Sequence, residues 1–192
     1  MNFYERFLPD RAEHVKPLYE LSVKKEWVWT KECNKAFNWL KEQITSDKVL
    51  MLFDPNLPLV LACDASYYGL SAVLSHRLSD GSERPIAFAS KIIPKNELHR
   101  AILDKKAGAI IFGFRKFYEY VYGVNIILKT DHEPLKFIFG SNKNLSIMIQ
   151  RRLIRWSYFL SGFTYEIEIV KSQANGNCDA FSRLPITDKN LK

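Results

Sequence analysis

The sequence is poor in several features that commonly identify a protein. Only three of its 192 residues are cysteines, Cys33, Cys63 and Cys178, and no two form a C-x-x-C pair. This odd, scattered set excludes a disulfide framework and the usual zinc spacings. It suits a reducing, intracellular compartment, cytoplasmic or nuclear. No apolar run approaches the roughly 18 residues of a membrane span, and no basic-then-apolar leader opens the chain. Internal repeats and low-complexity tracts are missing too, which sets aside solenoids and fibrous arrays.

What is present is a well-packed composition with a surplus of positive charge. Hydrophobic residues make up 47% and aromatics 14%, enough for one substantial domain and an appendage. The net charge is +7 and the isoelectric point is near 9.2, compatible with a polyanionic partner such as nucleic acid.

The pattern divides the chain into a helical segment over 1–50, an α/β domain over 51–186 and a tail over 187–192. In the first, Pro9 and Pro17 punctuate 2–22, and Thr30 caps a cleaner helix over 30–45 with Ala36, Phe37, Leu40 and Ile44 on one face. After the turn FDPNLP, buried strands are expected at 59–66, 69–78 and 84–93, an antiparallel meander. A long helix over about 99–121 follows, then a strand at 125–132, helices at 133–139 and 145–162, a strand at 164–172 and a helix opening at 177. The order βββαβααβα predicts a mixed five-stranded sheet with helices packed on it.

One position on the long helix is out of character. Ile102, Leu103, Ala109, Ile110, Gly113, Phe114 and Phe117 recur at helical spacing and mark an inward stripe. Lys106 lies on that stripe. The other chemistry-bearing residues that the pattern singles out are acids. Asp64 interrupts one apolar strand, Asp131 ends another, and Asp179 begins the last helix. A carboxylate inside a run such as 59–65 is costly unless a cation or a partner answers it. Three acids at strand and helix ends can chelate Mg²⁺ and direct attack on a phosphodiester. They can equally be helix caps, as Asp131 and Asp179 would be. Arg151, Arg152 and Arg155 in QRRLIRW are candidates for phosphate contacts, or simply a solvated helix face.

Several segments in register resemble the RNase H region of Gypsy-type long-terminal-repeat retrotransposon polyproteins, preceded by the end of the reverse transcriptase. NFYERFLPDRAEHVKPL (2–18) and the run 27–61 are similar to the thumb and the passage into RNase H. CDASYYGLSAVLSH (63–76), RPIAFASKIIPKNE (84–97), TDHEPLKFI (130–138) and 152–184 follow in family order. The resemblance implies an RNase H-like fold behind a thumb-like helical segment. It also implies four acids that hold two Mg²⁺ and cut the RNA strand of an RNA–DNA hybrid. Asp64 matches the first acid, Asp131 the third in TDHxPL, and Asp179 the fourth, in CDAFSR. The second is a glutamate in a stretch resembling EKELLAI. Here that stretch reads DKKAGAI, and its place is taken by Lys106.

A register shifted by two would make Asp104 the missing acid. The spacing from Lys106 to Gly123 and on to Asp131 is the family's, without a gap, and Asp104 sits about 200° around the helix from Lys106. At 4 Å and an effective dielectric of 20, one pair of unit charges is worth about 4 kcal/mol. An ammonium beside two dications therefore opposes them strongly. Lys106 is expected to pair with Asp64 and Asp131 in the metal's place, or else to snorkel with its head in water. No cofactor is then expected, and Mg²⁺ only if the centre is active.

Three function classes follow: a silent RNase H-like module used in protein interaction or scaffolding, a binder of hybrid or other nucleic acid without cleavage, and an active Mg²⁺-dependent RNase H. The aromatics of FYEYVYG (117–123) and KFIFG (136–140) are a candidate docking patch or core edge. No membrane partner is expected. Polymerase chemistry is not expected either, because in that family its fingers and palm lie upstream. The chain is expected to be an excerpt of a longer protein.

Overall fold

The computed structural model describes residues 8, 11–23, 27–47, 49–140, 151–171 and 175–183. They fall into two compact units, 1–52 and 53–192. The first holds α1 (Arg11–Val23) and α2 (Lys31–Ile44). Thr30 caps α2 as expected, its hydroxyl accepting from the Cys33 N–H at 3.3 Å. Cys33, Ala36 and Leu40 are buried, whereas Phe37 is exposed. Pro17 does not interrupt the chain. It lies inside α1, where the ring of His14 stacks on Trp39 at 4.2 Å.

The second unit carries β1 (Leu59–Ala65), β2 (Gly69–Arg77), β3 (Glu83–Ile92), α3 (Ile102–Lys116), α4 (Tyr118–Val121) and β4 (Asn125–Thr130). After them come α5 (Pro134–Phe139), α6 (Arg151–Leu160), β5 (Thr164–Ile169) and α7 (Gly176–Arg183). The five strands form one mixed sheet in the order β3-β2-β1-β4-β5. β1 to β3 are the antiparallel meander, while β4 runs parallel to β1 and β5 parallel to β4. This is the α/β architecture expected from the pattern. Residues 145–150 of the helix expected at 145–162 lie outside the described residues, as does the 187–192 tail.

Side chains of β1 alternate between two cores, as a pleated strand requires. Leu59, Leu61 and Cys63 meet the large cluster beneath α3, α5 and α6, with Phe114, Ile110 and Leu160 at its centre. Ala62 turns to the other face, where it packs with Val73 and Cys178, flanked by Phe88 and Phe181. A charge ladder also ties the strands together. Arg77 of β2 meets Glu83 of β3 and Glu168 of β5 at 3.1 and 2.7 Å, and Lys129 of β4 meets Glu83 at 2.5 Å.

The long helix departs from its expected form at both ends. Its start is at Ile102 because the Lys95–Glu97 turn and an extended Ala101 (ψ 151°) precede it, and Ala101 has no side chain to cap with. Its end comes at Phe117 (φ −107°, ψ 24°), where the backbone breaks before α4. Ile102, expected on the inward stripe, is exposed at 52%, whereas Asp104 and Lys105, off that stripe, are buried. Asp104 is covered by Arg152 of α6 and Lys105 by Tyr67 between β1 and β2, so the buried surface of α3 is wider than one stripe, while Ile102 is the first residue of the helix.

Two glycines on α3 meet different surroundings. A Cβ at Gly113 would lie 2.8 Å from Cys63 Sγ and 3.1 Å from Ala72 Cβ, whereas one at Gly108 would meet only Trp156 at 3.6 Å. Gly108→Ala is therefore expected to raise stability by about 0.5–1 kcal/mol through helix propensity. Gly113→Ala is expected to lower it by about 1–3 kcal/mol through overpacking. Urea unfolding of the two variants checks the opposite signs.

Candidate functional site

The sheet register builds the centre. β1 and β4 are parallel neighbours with Ala62 opposite Lys129. Asp64 lies two residues beyond Ala62, near the end of β1, and Asp131 directly follows the last residue of β4. α3 crosses above them and supplies Lys106 from its second turn. The Lys106 ammonium donates to Asp64 Oδ1 at 2.6 Å and to Asp131 Oδ1 at 2.5 Å. Exposure of the three side chains is 11%, 4% and 13%, so the triad is largely withdrawn from water. Lys106 does not snorkel. It bridges the two carboxylates.

The electrostatics follow from that burial. Burial pushes the Asp64 carboxyl above its ordinary value, and Asp131 adds to the rise. The hydrogen bond and charge of Lys106 oppose it without cancelling it. For Lys106 burial is again the largest single influence and disfavours the ammonium. The hydrogen bonds and charges of Asp131 and Asp64 together outweigh it, and its value is raised. Both directions are consistent because Asp64 is the more deeply enclosed partner and bears more of the desolvation. His132, next along the chain, is held below its ordinary value, first by burial and then by repulsion from Lys106.

Other expected residues are placed differently. Asp179, in the first turn of α7, is part-exposed and bound to Arg183 through 2.8–3.0 Å contacts one helical turn on. Its carboxylate takes no part in the Lys106 bridge. It is linked to that bridge through Ser182, whose Oγ lies 2.8 Å from the Asp179 carbonyl and 3.3 Å from Asp64 Oδ2. Of the three arginines, Arg151 and Arg155 are exposed. Arg152 is engaged with Asp104 at 3.0 Å and stands over the Trp156 ring. Asp104 is thus paired on another side of α3 and is no substitute for the acid at position 106.

Sequence reasoning missed the serines that support the centre. Ser71 Oγ, fully buried, lies 2.7 Å from the Cys178 carbonyl and 3.3 Å from that of Asp64. Ser66 donates to the Ser182 carbonyl at 2.7 Å. Together they fasten α7 to β1 and β2. For Ser71 the available signal was a hydroxyl inside the apolar run GLSAVLS, where a buried strand needs a partner for it.

A family model described as the RNase H-like domain found in reverse transcriptase matches residues 29–128, more than half the chain. The chain belongs to this family. The Pol polyprotein from transposon 412 of Drosophila melanogaster is 32% identical to it over 192 residues, all of this chain but 15% of the polyprotein. The chain thus spans about one seventh of that relative. Among solved structures, the foamy viral protease–reverse transcriptase in complex with double-stranded DNA superposes with a TM-score of 0.68 at 21% identity. The match covers 88% of this chain and 38% of that one. LC11-RNase H1 in complex with an RNA/DNA hybrid covers 70% of this chain and 99% of its own, with a TM-score of 0.52 at 12% identity. These structural likenesses show the RNase H fold.

The residues of this RNase H-like domain do not fit a pair of dications. An ammonium stands between the two carboxylates that would share a metal, and the third is turned to Arg183. Among the described residues no three His, Cys, Asp or Glu side chains are grouped to hold a metal ion.

Removing the ammonium leaves two enclosed carboxylates facing each other, so Lys106→Met is expected to cost about 3 kcal/mol near pH 7. The sign of its pH dependence is set by both groups. Asp64, whose value is raised in the fold, gains a proton on mild acidification, which relieves the mutant and shrinks the difference. Lys106, also raised, contributes stability that is fully present below the ordinary lysine value of 10.5 and fades as pH climbs through its folded value. Thermal melts of both proteins across that range measure the window.

Proposed function

We propose that this chain is the RNase H-like module of a Gypsy-type retroelement polyprotein, preceded by a thumb-like segment, with the nuclease centre silenced at one position. The observation that carries the reading is the Lys106 bridge, 2.6 and 2.5 Å from the acids that match the family's first and third metal ligands. A carboxylate at 106 would draw cations to this point. An ammonium supplies the positive charge itself, holds Asp64 and Asp131 together, and opposes the approach of Mg²⁺. The acids are then structural.

What such a module retains is the capacity to bind. A net charge of +7 and the exposed Arg151 and Arg155 on α6 favour phosphate contacts, and the foamy viral protease–reverse transcriptase of similar fold is a complex with double-stranded DNA. The module is therefore read as a hybrid or duplex binder that does not cut. Binding of this kind weakens steeply with salt, because cations released from the phosphates carry much of the affinity.

Cleavage of an end-labelled RNA–DNA hybrid, with Mg²⁺ and with Mn²⁺, separates the readings. The unmodified chain is expected to retard the hybrid at low salt and leave its RNA strand intact, while Lys106→Glu cuts it. Metal-dependent cutting by the unmodified chain, lost in Asp64→Asn, would make it an active RNase H and overturn the proposal.

A further inference from the structure

Away from the Lys106 centre, unanswered positive charge gathers at a groove of about 390 Å³ beside the end of β3, α3 and α6. Leu70, Ile93, Ile111 and Trp156 give it an apolar floor, and Lys91, Lys105, Arg115 and Lys116 line it with cations. Two acids also reach it, and both are already matched. Glu97 pairs with Arg100 at 2.5 Å and Asp104 with Arg152 at 3.0 Å. A fifth lining cation, Arg100, is the one that Glu97 answers; among the described residues no carboxylate pairs with Lys91, Lys105, Arg115 or Lys116. None of Asp64, Lys106 and Asp131 lines the groove, so this site stands independently of the silent nuclease.

Lys105 points to what the groove takes. It is only 6% exposed, and its ammonium has three hydrogens to place. Among the described residues it makes one long hydrogen bond, 3.4 Å to the Tyr67 carbonyl, and lies 4.4 Å from the centre of the Tyr67 ring. A cation this deeply enclosed and this weakly answered is stabilised by an anion that comes to it.

The rest of the lining selects the kind of anion. Aromatic rings here are covered by cations and are not laid open for stacking: Lys91 lies 5.4 Å over Phe112, Arg115 5.2 Å over Phe159, and Arg152 5.9 Å over Trp156. A single-stranded nucleic acid therefore finds phosphate contacts but no stacking platform of the usual kind. A duplex backbone is convex and hydrated, and it has nothing to place on an aliphatic floor. A peptide with carboxylates around a large apolar side chain satisfies floor and rim together, the arrangement of an interface anchor with a polar rim.

We propose that this groove docks an acidic segment of a partner protein, seating an apolar anchor on Leu70, Ile93 and Ile111 and carboxylates on Lys105, Lys91 and Arg115. The test is fluorescence anisotropy of the full chain with a labelled short peptide rich in Asp and Glu around a central Trp–Leu pair. Saturable binding is expected, absent for the same peptide with Asn and Gln in place of its acids. Lys105→Met keeps the buried stem and should weaken binding at least about tenfold. Lys116→Glu, on the exposed rim, should weaken it without touching the core. Absence of saturable binding, or unchanged affinity in both variants, would overturn the proposal. So would a single-stranded oligonucleotide that displaces the peptide, binds more tightly than it, and loses affinity in the same variants, because the groove would then belong to nucleic acid.

Discussion

Two ionised carboxylates held close and enclosed at the ends of neighbouring parallel strands call for a positive charge between them, and much of the second unit is arranged around how that charge is supplied. Asp64 lies near the end of β1 and Asp131 directly follows β4, the strand paired parallel with it. The countercharge therefore has to reach them from another element, and α3 delivers Lys106 to both at once. A dication would satisfy the same pair. An ammonium tethered through its own side chain does so at fixed stoichiometry, independent of the metal concentration around it.

The surrounding structure makes that delivery exact. α3 lies close on the sheet because Gly113 leaves no Cβ to collide with Cys63 and Ala72, which brings the first turns of the helix over the strand ends. On the far side, Asp104 and Arg152 join α3 to α6. On the opposite face of the sheet, Ser66, Ser71 and Ser182 anchor α7 against β1 and β2. An internal ion pair holding two carboxylates makes geometric demands on the elements that carry them, and these contacts meet them. The groove on the flank of α3 is lined from the same helix by Lys105, the residue next to the one that bridges Asp64 and Asp131.

Most of this was legible in the sequence, and the exceptions have physical causes. Strands with continuous apolar runs and the turns between them were readable, because central strands buried on both faces admit little else. Lys106 was recognisable by its place on the inward stripe and by the motif spacing. Its bridge to Asp64 and Asp131 was one of two expectations, the other being snorkelling, once the family resemblance had set the three residues at one site. Periodicity failed where α3 is enclosed from two sides: it put Ile102 inside and left Asp104 and Lys105 out, since a single stripe describes a helix covered on one face. The break at Phe117 leaves no proline or glycine signal. The pairing of Asp179 with Arg183 is a one-turn contact that motif matching, which reads position and not partner, does not weigh.

The central claim is that Lys106 takes the place of metal, and the most direct measurement is Mn²⁺ binding followed by electron paramagnetic resonance on the unmodified chain and on Lys106→Glu. The account predicts that the unmodified protein leaves the signal of free aqueous Mn²⁺ undiminished, while the Lys106→Glu protein depletes it and loses that capacity again when Asp64 is also changed to Asn. Depletion of the Mn²⁺ signal by the unmodified protein, abolished by Asp64→Asn, would contradict it.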